Sequence, residues 1–190
     1  MGLVLTAAPA VEPVSVADAK AHLRIDNDDE DALIASLIVT SRLHIETALS
    51  LAMITQGWSL RIDAWPETGA LTLPVFPVRA IESISAIAQD GADTAVDTDS
   101  FRIEVIGSRS RLLPVSRQWP MHGPAQGIEI TFQAGFGDAG ADVPAPIRQA
   151  LLMLIAHWYE QREPVAFGTA ATRIPDTVSE LLAPYRGVRL

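Results

Sequence analysis

The run VPAPIRQALLMLIAHWYEQREP, residues 143–164, decides how the rest of the chain is read. Pro146 suits a first helical position, where a missing N–H costs nothing, and Pro164 cannot continue a helix, so the segment is punctuated at both ends. Within it Ile147, Leu151, Leu154, Ile155 and Trp158 recur at the spacing that builds one apolar helix face. Leu152, Met153 and Tyr159 fall outside that stripe. A helix apolar over so much of its girth needs more than one packing partner, either a surrounding core or another chain.

Working outward toward the N-terminus, a second helical run precedes this one. Leu33, Ile34, Leu37, Ile38, Ile45, Leu49 and Ala52 line up at helical spacing, and the acidic cluster DNDDED at 26–31 opposes the positive end of that helix's dipole. The expected span, Asp28 to Ser50, is roughly 34 Å long. Before it, Ser15 can cap a short helix, SVADAKAHLRI, with Asp18 in place of the usual Glu of a capping box, ending near Leu23 or Arg24. Residues 1–13 lack periodicity and contain Pro9 and Pro13, which reads as an extended arm of the kind that reaches neighbours in assemblies.

Between the helical regions the period changes to two. TQGWSLRIDAW alternates Trp58, Leu60 and Ile62 against Ser59, Arg61 and Asp63, the pattern of a half-buried strand. Further strands are expected over Ala70–Leu73, Ala80–Ala88, Ser100–Val105 and Ile128–Ala134. Pro74, Pro77, Pro114 and Pro120 divide this region, which argues for short pieces rather than one large regular sheet. Residues 89–100, with four Asp and one Gly, read as an exposed hairpin tip. After the organising helix, a low-charge linker leads to a short helix around Thr177 to Leu182, closed by Pro184. The tail PYRGVRL carries Arg186 and Arg189 and no acid, inverting the sign of the chain.

That overall sign limits function. With 23 acidic and 14 basic residues the formal charge is −9 and the pI about 4.8, the wrong sign for a general phosphate-binding surface. The absence of cysteine excludes disulfides, thiolate catalysis and Cys-ligated zinc, and a length of 190 residues suffices for one core without such staples. The opening MGLVLTAAPAVEP is short and apolar with no basic n-region, and no later run is expected to approach the roughly 18 apolar residues of a membrane span. A soluble protein with no membrane partner is expected.

Few residues offer chemistry. GFGDAG satisfies G-x-G-x-x-G through Gly135, Gly137 and Gly140, but Pro144 and Pro146 delay the following helix and the preceding strands read as an antiparallel meander, so a plain glycine loop is the better reading. The run from Asp26 lacks the glycine at position six and the glutamate at position twelve of a calcium loop. His22, His44, His122 and His157 are scattered, leaving no helical metal pair. His157 and Glu160 could form an acid–base pair, a spacing equally ordinary on a helix surface. Of the tryptophans, Trp119 lies in a loop between Gln118 and Pro120 and is the candidate to face a partner.

Taken together, PVSVADAKAHLRID (13–26), DEDALI (29–34), ITQGWSLRIDAWP (54–66), LPVFPVRAIESI (73–84), FQAGFGD (132–138), VPAPIRQALLMLIAHWYEQRE and the closing LLAPYRGVRL resemble the head–tail connector (adaptor) proteins of long-tailed phages, prophages and gene transfer agents. Ala88 departs from the family's aromatic before the Asp90–Gly91 turn. The resemblance implies an α+β chain, mainly a helical connector core of four helices with an inserted small antiparallel β-rich segment. As one domain it divides into an arm (1–13), helices 1–2 (14–55), the β-rich insert (56–140), helices 3–4 (141–183) and a tail (184–190). It also implies a non-enzymatic virion component without cofactors: a homo-oligomeric ring, a dodecamer in that family, between the portal protein and a stopper or tail-completion protein. Double-stranded DNA would pass through the lumen without specific binding, in a particle assembled in the bacterial cytoplasm. Candidate interface residues are Trp119, Tyr159, Arg162, Tyr185, Arg186, Arg189 and Leu190. The alternatives are another tail-completion or stopper protein, or a small enzyme using His157 and Glu160.

Overall fold

A computed structural model describes residues 1–67, 69–88, 93–120, 125–161 and 175–186. In chain order it contains β1 (Gly2–Ala7), α1 (Val16–Leu23), α2 (Asp31–Leu49), β2 (Gln56–Ile62), β3 (Leu71–Leu73), β4 (Val78–Ala88), β5 (Asp93–Val96), β6 (Phe101–Ile106), β7 (Arg109–Pro114), β8 (Ala125–Ala134), α3 (Ala145–Glu160) and α4 (Asp176–Leu182).

The α+β class and the four helices match expectation, but the chain is not mainly helical. Among the described residues, eight strands build two antiparallel sheets, one of five strands in the order β1-β2-β8-β4-β5 and one of three in the order β3-β7-β6. Two misreadings account for the difference. The expected arm contains β1, which pairs with β2 from Gly2 opposite Arg61 to Ala7 opposite Gly57. The run RSRLLP, unassigned by periodicity, is β7, the central strand of the small sheet. The prolines fall between or at the ends of strands, Pro74 and Pro77 before β4 and Pro114 closing β7, so β4 and β8 remain 11 and 10 residues long. The expected hairpin tip at 89–100 includes β5, which pairs with β4, and a 3-10 turn at Thr98–Ser100.

Local chemistry sets the helix limits. The Asp18 N–H donates to the Ser15 hydroxyl at 3.0 Å while the Ser15 N–H donates to the Asp18 carboxylate at 3.0 Å, a complete capping box. Arg24 ends α1 in the left-handed conformation. α2 starts at Asp31 rather than Asp28; the residues between them form the approach, where Lys20 pairs with both Asp28 and Asp31. By length and hydropathy α2 could cross a bilayer, but its buried stripe carries Arg42 and Glu46 and packs with α1 and α3. In α3, Pro144 is the N-cap and Pro146 the second helical residue.

Two apolar cores result. Ile34, Ile38 and Ile45 of α2 meet Ile147, Leu151, Leu154 and Ile155 of α3 and Val178 and Leu182 of α4. Leu60, Ile130 and Phe132 of the large sheet meet Leu73, Phe101 and Leu112 around the small one. Residues 51–55 and the glycine run join the two. Backbone bonds connect Ala52 N–H to the Phe76 carbonyl (2.8 Å), Phe136 N–H to Met53 (3.1 Å) and Thr55 N–H to Gly137 (2.9 Å).

Candidate assembly surface

The buried polar groups come first, because burial makes them costly unless they are paired. Arg42 replaces an aliphatic one turn after Ile38 on the inner stripe of α2, and Glu46 follows one turn later. The Arg42 guanidinium donates to Glu12 through Nε (2.7 Å) and Nη2 (3.1 Å), and to Glu46 through Nη1 (2.9 Å). The other Glu46 oxygen accepts from the Met53 N–H and the Gln56 amide, both at 2.8 Å. Burial pushes the Glu46 carboxyl above the usual glutamate value, against the pull of the Met53 N–H and the Arg42 charge. Burial also opposes the Arg42 charge, but the bond to Glu12 and the charge of Glu46 outweigh it and raise its pKa. This cluster ties the segment after β1 to α2 and α2 to the start of β2. Nothing in the sequence reading found it, although two charged residues stepping by four along an apolar stripe were the available signal.

The glycine run has the same structural duty. A Cβ on Gly135 would lie 2.6 Å from the Ile54 carbonyl carbon, one on Gly137 2.2 Å from the Asp142 carboxylate, and one on Gly140 2.5 Å from the Pro13 carbonyl. Each glycine admits this chain's own atoms, and that close internal packing explains the motif. His157 is half-buried on α3 and Glu160 exposed; among the described residues no hydrogen bond or ion pair joins them, and no group of acidic or histidine side chains could hold a metal ion.

Among the described candidate interface residues, Trp119 packs against the sheet core and Tyr159 and Tyr185 against the helical core. Trp119 is half-buried, stacked on Trp65 with centroids 4.6 Å apart and planes 16° apart, and leaning on Phe101. Tyr159 is half-buried against the helical core and its hydroxyl bonds the carboxylate of Glu30, at the start of α2. Tyr185 meets the edge of Phe136 at 6.4 Å. Arg186 is exposed and borders two adjoining grooves. One, of about 380 Å³, runs between the end of α2, Thr72 to Pro74 and the β6–β7 turn; the other, about 210 Å³, lies between α2, α3 and α4. The Ser108 hydroxyl reaches the Pro184 carbonyl at 3.3 Å, so the β6–β7 turn and the C-terminal segment share this corner. Arg162, Arg189 and Leu190 lie outside the described residues.

Among the described residues, exposed large apolar side chains include Leu3, Val4 and Leu5 on β1, Leu33, Val39 and Leu43 on α2, and Val105 and Ile106 at the β6–β7 turn. Surfaces of this kind suit protein contacts.

The sequence profile of the head completion proteins matches residues 12–188, nearly the whole chain. The chain belongs to the head completion protein family. Solved structures agree across its full length. A chain from the neck of an empty gene transfer agent particle, computed with C6 symmetry, superposes with a TM-score of 0.85 at 28% identity, covering 100% of this chain and 97% of that one. A chain from the virion of a native gene transfer agent particle gives 0.84 at 29% identity, with the same coverage. A third, from the neck of a native particle computed with C12 symmetry, gives 0.80 at 28%, covering 98% and 97%. No curated protein matches the sequence significantly.

Proposed function

We propose that this chain is a head–tail connector (adaptor) subunit that forms a closed ring at the neck of a phage or gene transfer agent particle, between the portal and a stopper or tail-completion protein. The observation that carries this is the near end-to-end superposition on chains from gene transfer agent necks computed with C6 and C12 symmetry. A ring of identical copies closes when one patch of a subunit meets a different patch of the next, and repetition makes modest contacts add up. The dodecamer is the stoichiometry proposed.

The role is geometric rather than catalytic. A formal charge of −9 on every copy makes an acidic ring, which would repel double-stranded DNA and let it slide through without specific binding. The C-terminal segment, with Tyr185 against Phe136 and Arg186 at the mouth of the two grooves, is the proposed portal-facing end, because it reverses the sign of the chain. Native mass spectrometry of the full chain, alone and mixed with the portal protein, tests the ring. A single closed stoichiometry, retained on the portal, is expected; a monomer under both conditions refutes the reading.

A further inference from the structure

β1 is an edge strand without the usual protection. Edge strands in soluble proteins are commonly blunted by charge, proline or a covering element. GLVLTA has neither charge nor proline, and all six residues are exposed. The opposite edge of the same sheet, β5, begins at Asp93 and is followed by Asp97 and Asp99. One end of the sheet is therefore guarded by charge and the other is left open.

β1 is nevertheless firmly seated on its inner side. It pairs with β2 residue by residue from Gly2 to Leu5, with an irregularity at Thr6. Gly57 accommodates that irregularity, since a Cβ there would stand 2.9 Å from the Thr6 hydroxyl. The register puts Leu3 opposite Leu60 and Leu5 opposite Trp58, and these in turn face Ile130 and Phe132 of β8. This is the face that packs on the small sheet. Leu60 is fully buried there, yet one strand further out Leu3 is 39% and Leu5 45% exposed. The apolar face overruns its cover by one strand.

We propose that β1 is a seam between adjacent copies of this chain, its open edge and the Leu3–Leu5 ridge docking on the next subunit; this rests on the ring reading. A second copy is the fitting occupant for two reasons. Related chains come from particle necks computed with C6 and C12 symmetry, an arrangement that repeats a chain around one axis. An uncharged apolar strip also suits a permanent contact between like subunits, whose interfaces are more apolar than those of transient partners.

The test is Leu3→Lys with Leu5→Lys in the full chain. Both side chains are exposed in the single subunit, so its melting temperature should move by no more than about 4 °C, while the ring fraction in native mass spectra should fall at least about tenfold. Rings as abundant as in the unaltered chain overturn the seam. Amide hydrogen exchange on the unaltered chain gives an independent reading should the variant misfold. Residues 2–7 should exchange at least about tenfold more slowly in the isolated ring than in the dilute subunit, and equal rates overturn the proposal. Protection that appears only in whole particles also overturns it, since another neck protein is then the cover. A chain that never forms rings removes both the ring reading and the seam; a ring with unprotected β1 removes the seam alone.

Discussion

Replacing Arg42 by alanine is the most informative single perturbation of the fold. Its guanidinium makes three bonds to two carboxylates, at 2.7, 2.9 and 3.1 Å, and its side chain is 8% exposed. Removing one partner of a buried ion pair costs about 3–5 kcal/mol, because the other charge stays buried and uncompensated. Two features place the expected loss at the lower end. The Glu12 side chain is 31% exposed and regains water readily, so its share resembles that of a surface pair, below about 1 kcal/mol. Glu46 retains the Met53 N–H and Gln56 amide on one oxygen, leaving only the oxygen that faced Arg42 bare. A loss of about 3 kcal/mol follows, equivalent to roughly 6–12 °C in melting temperature for a chain of this size. Urea titration followed by tryptophan fluorescence measures it. Arg42→Met combined with Glu46→Gln, which removes both buried charges, should recover at least about half of that loss. A cost below about 1 kcal/mol for Arg42→Ala, or no recovery in the double variant, would refute the view that a desolvated ion cluster clamps the N-terminal segment to α2.

Four further outcomes are expected. Gly135→Ala should destabilise by about 2–4 kcal/mol in thermal melts, since φ is +147° and the new methyl would meet the Ile54–Thr55 backbone at 2.6 Å. The Ser15 N–H and hydroxyl hold the Asp18 carboxyl below the usual aspartate value, so its stabilisation is present above that value and is lost as pH falls through the lowered one; Asp18→Asn should flatten this acid limb of a stability–pH curve. Glu46 has the opposite sign, its raised pKa making stability decline as pH rises past the ordinary glutamate value, a slope that Glu46→Gln should remove. Trp119→Ala should cost about 2 kcal/mol, less than a fully buried tryptophan, and change the emission of its stacking partner Trp65.

What could be read from the sequence was whatever is fixed locally. α3 is set by its proline boundaries and the spacing of Ile147, Leu151 and Leu154, and α1 by the Ser15–Asp18 box three residues apart. β2 shows its period of two from Trp58 to Ile62, with Leu60 and Ile62 buried and Arg61 between them exposed. β1 was missed because Leu3, Val4 and Leu5 are all apolar, so no period of two exists, and what makes them a strand is β2, over fifty residues away. β7 was missed because its arginines and terminal proline mimic a loop until β3 and β6 flank it. The same distinction governs the candidate residues. Trp119 stood out as a loop tryptophan, but Trp65 and Phe101, which it packs on, come from separate parts of the chain. Arg42 and Glu46 were hidden in a run that reads as simply amphipathic. The family was legible because its motifs recur in order along nearly the whole chain, whereas contacts between copies leave no pattern within one copy.

The most direct measurement of the central claim is electron microscopy of particles from producing cells that lack this protein. A connector at the neck predicts DNA-filled heads and free tails that fail to join, with joining restored when the full chain is supplied. Complete, joined particles in its absence would contradict the account.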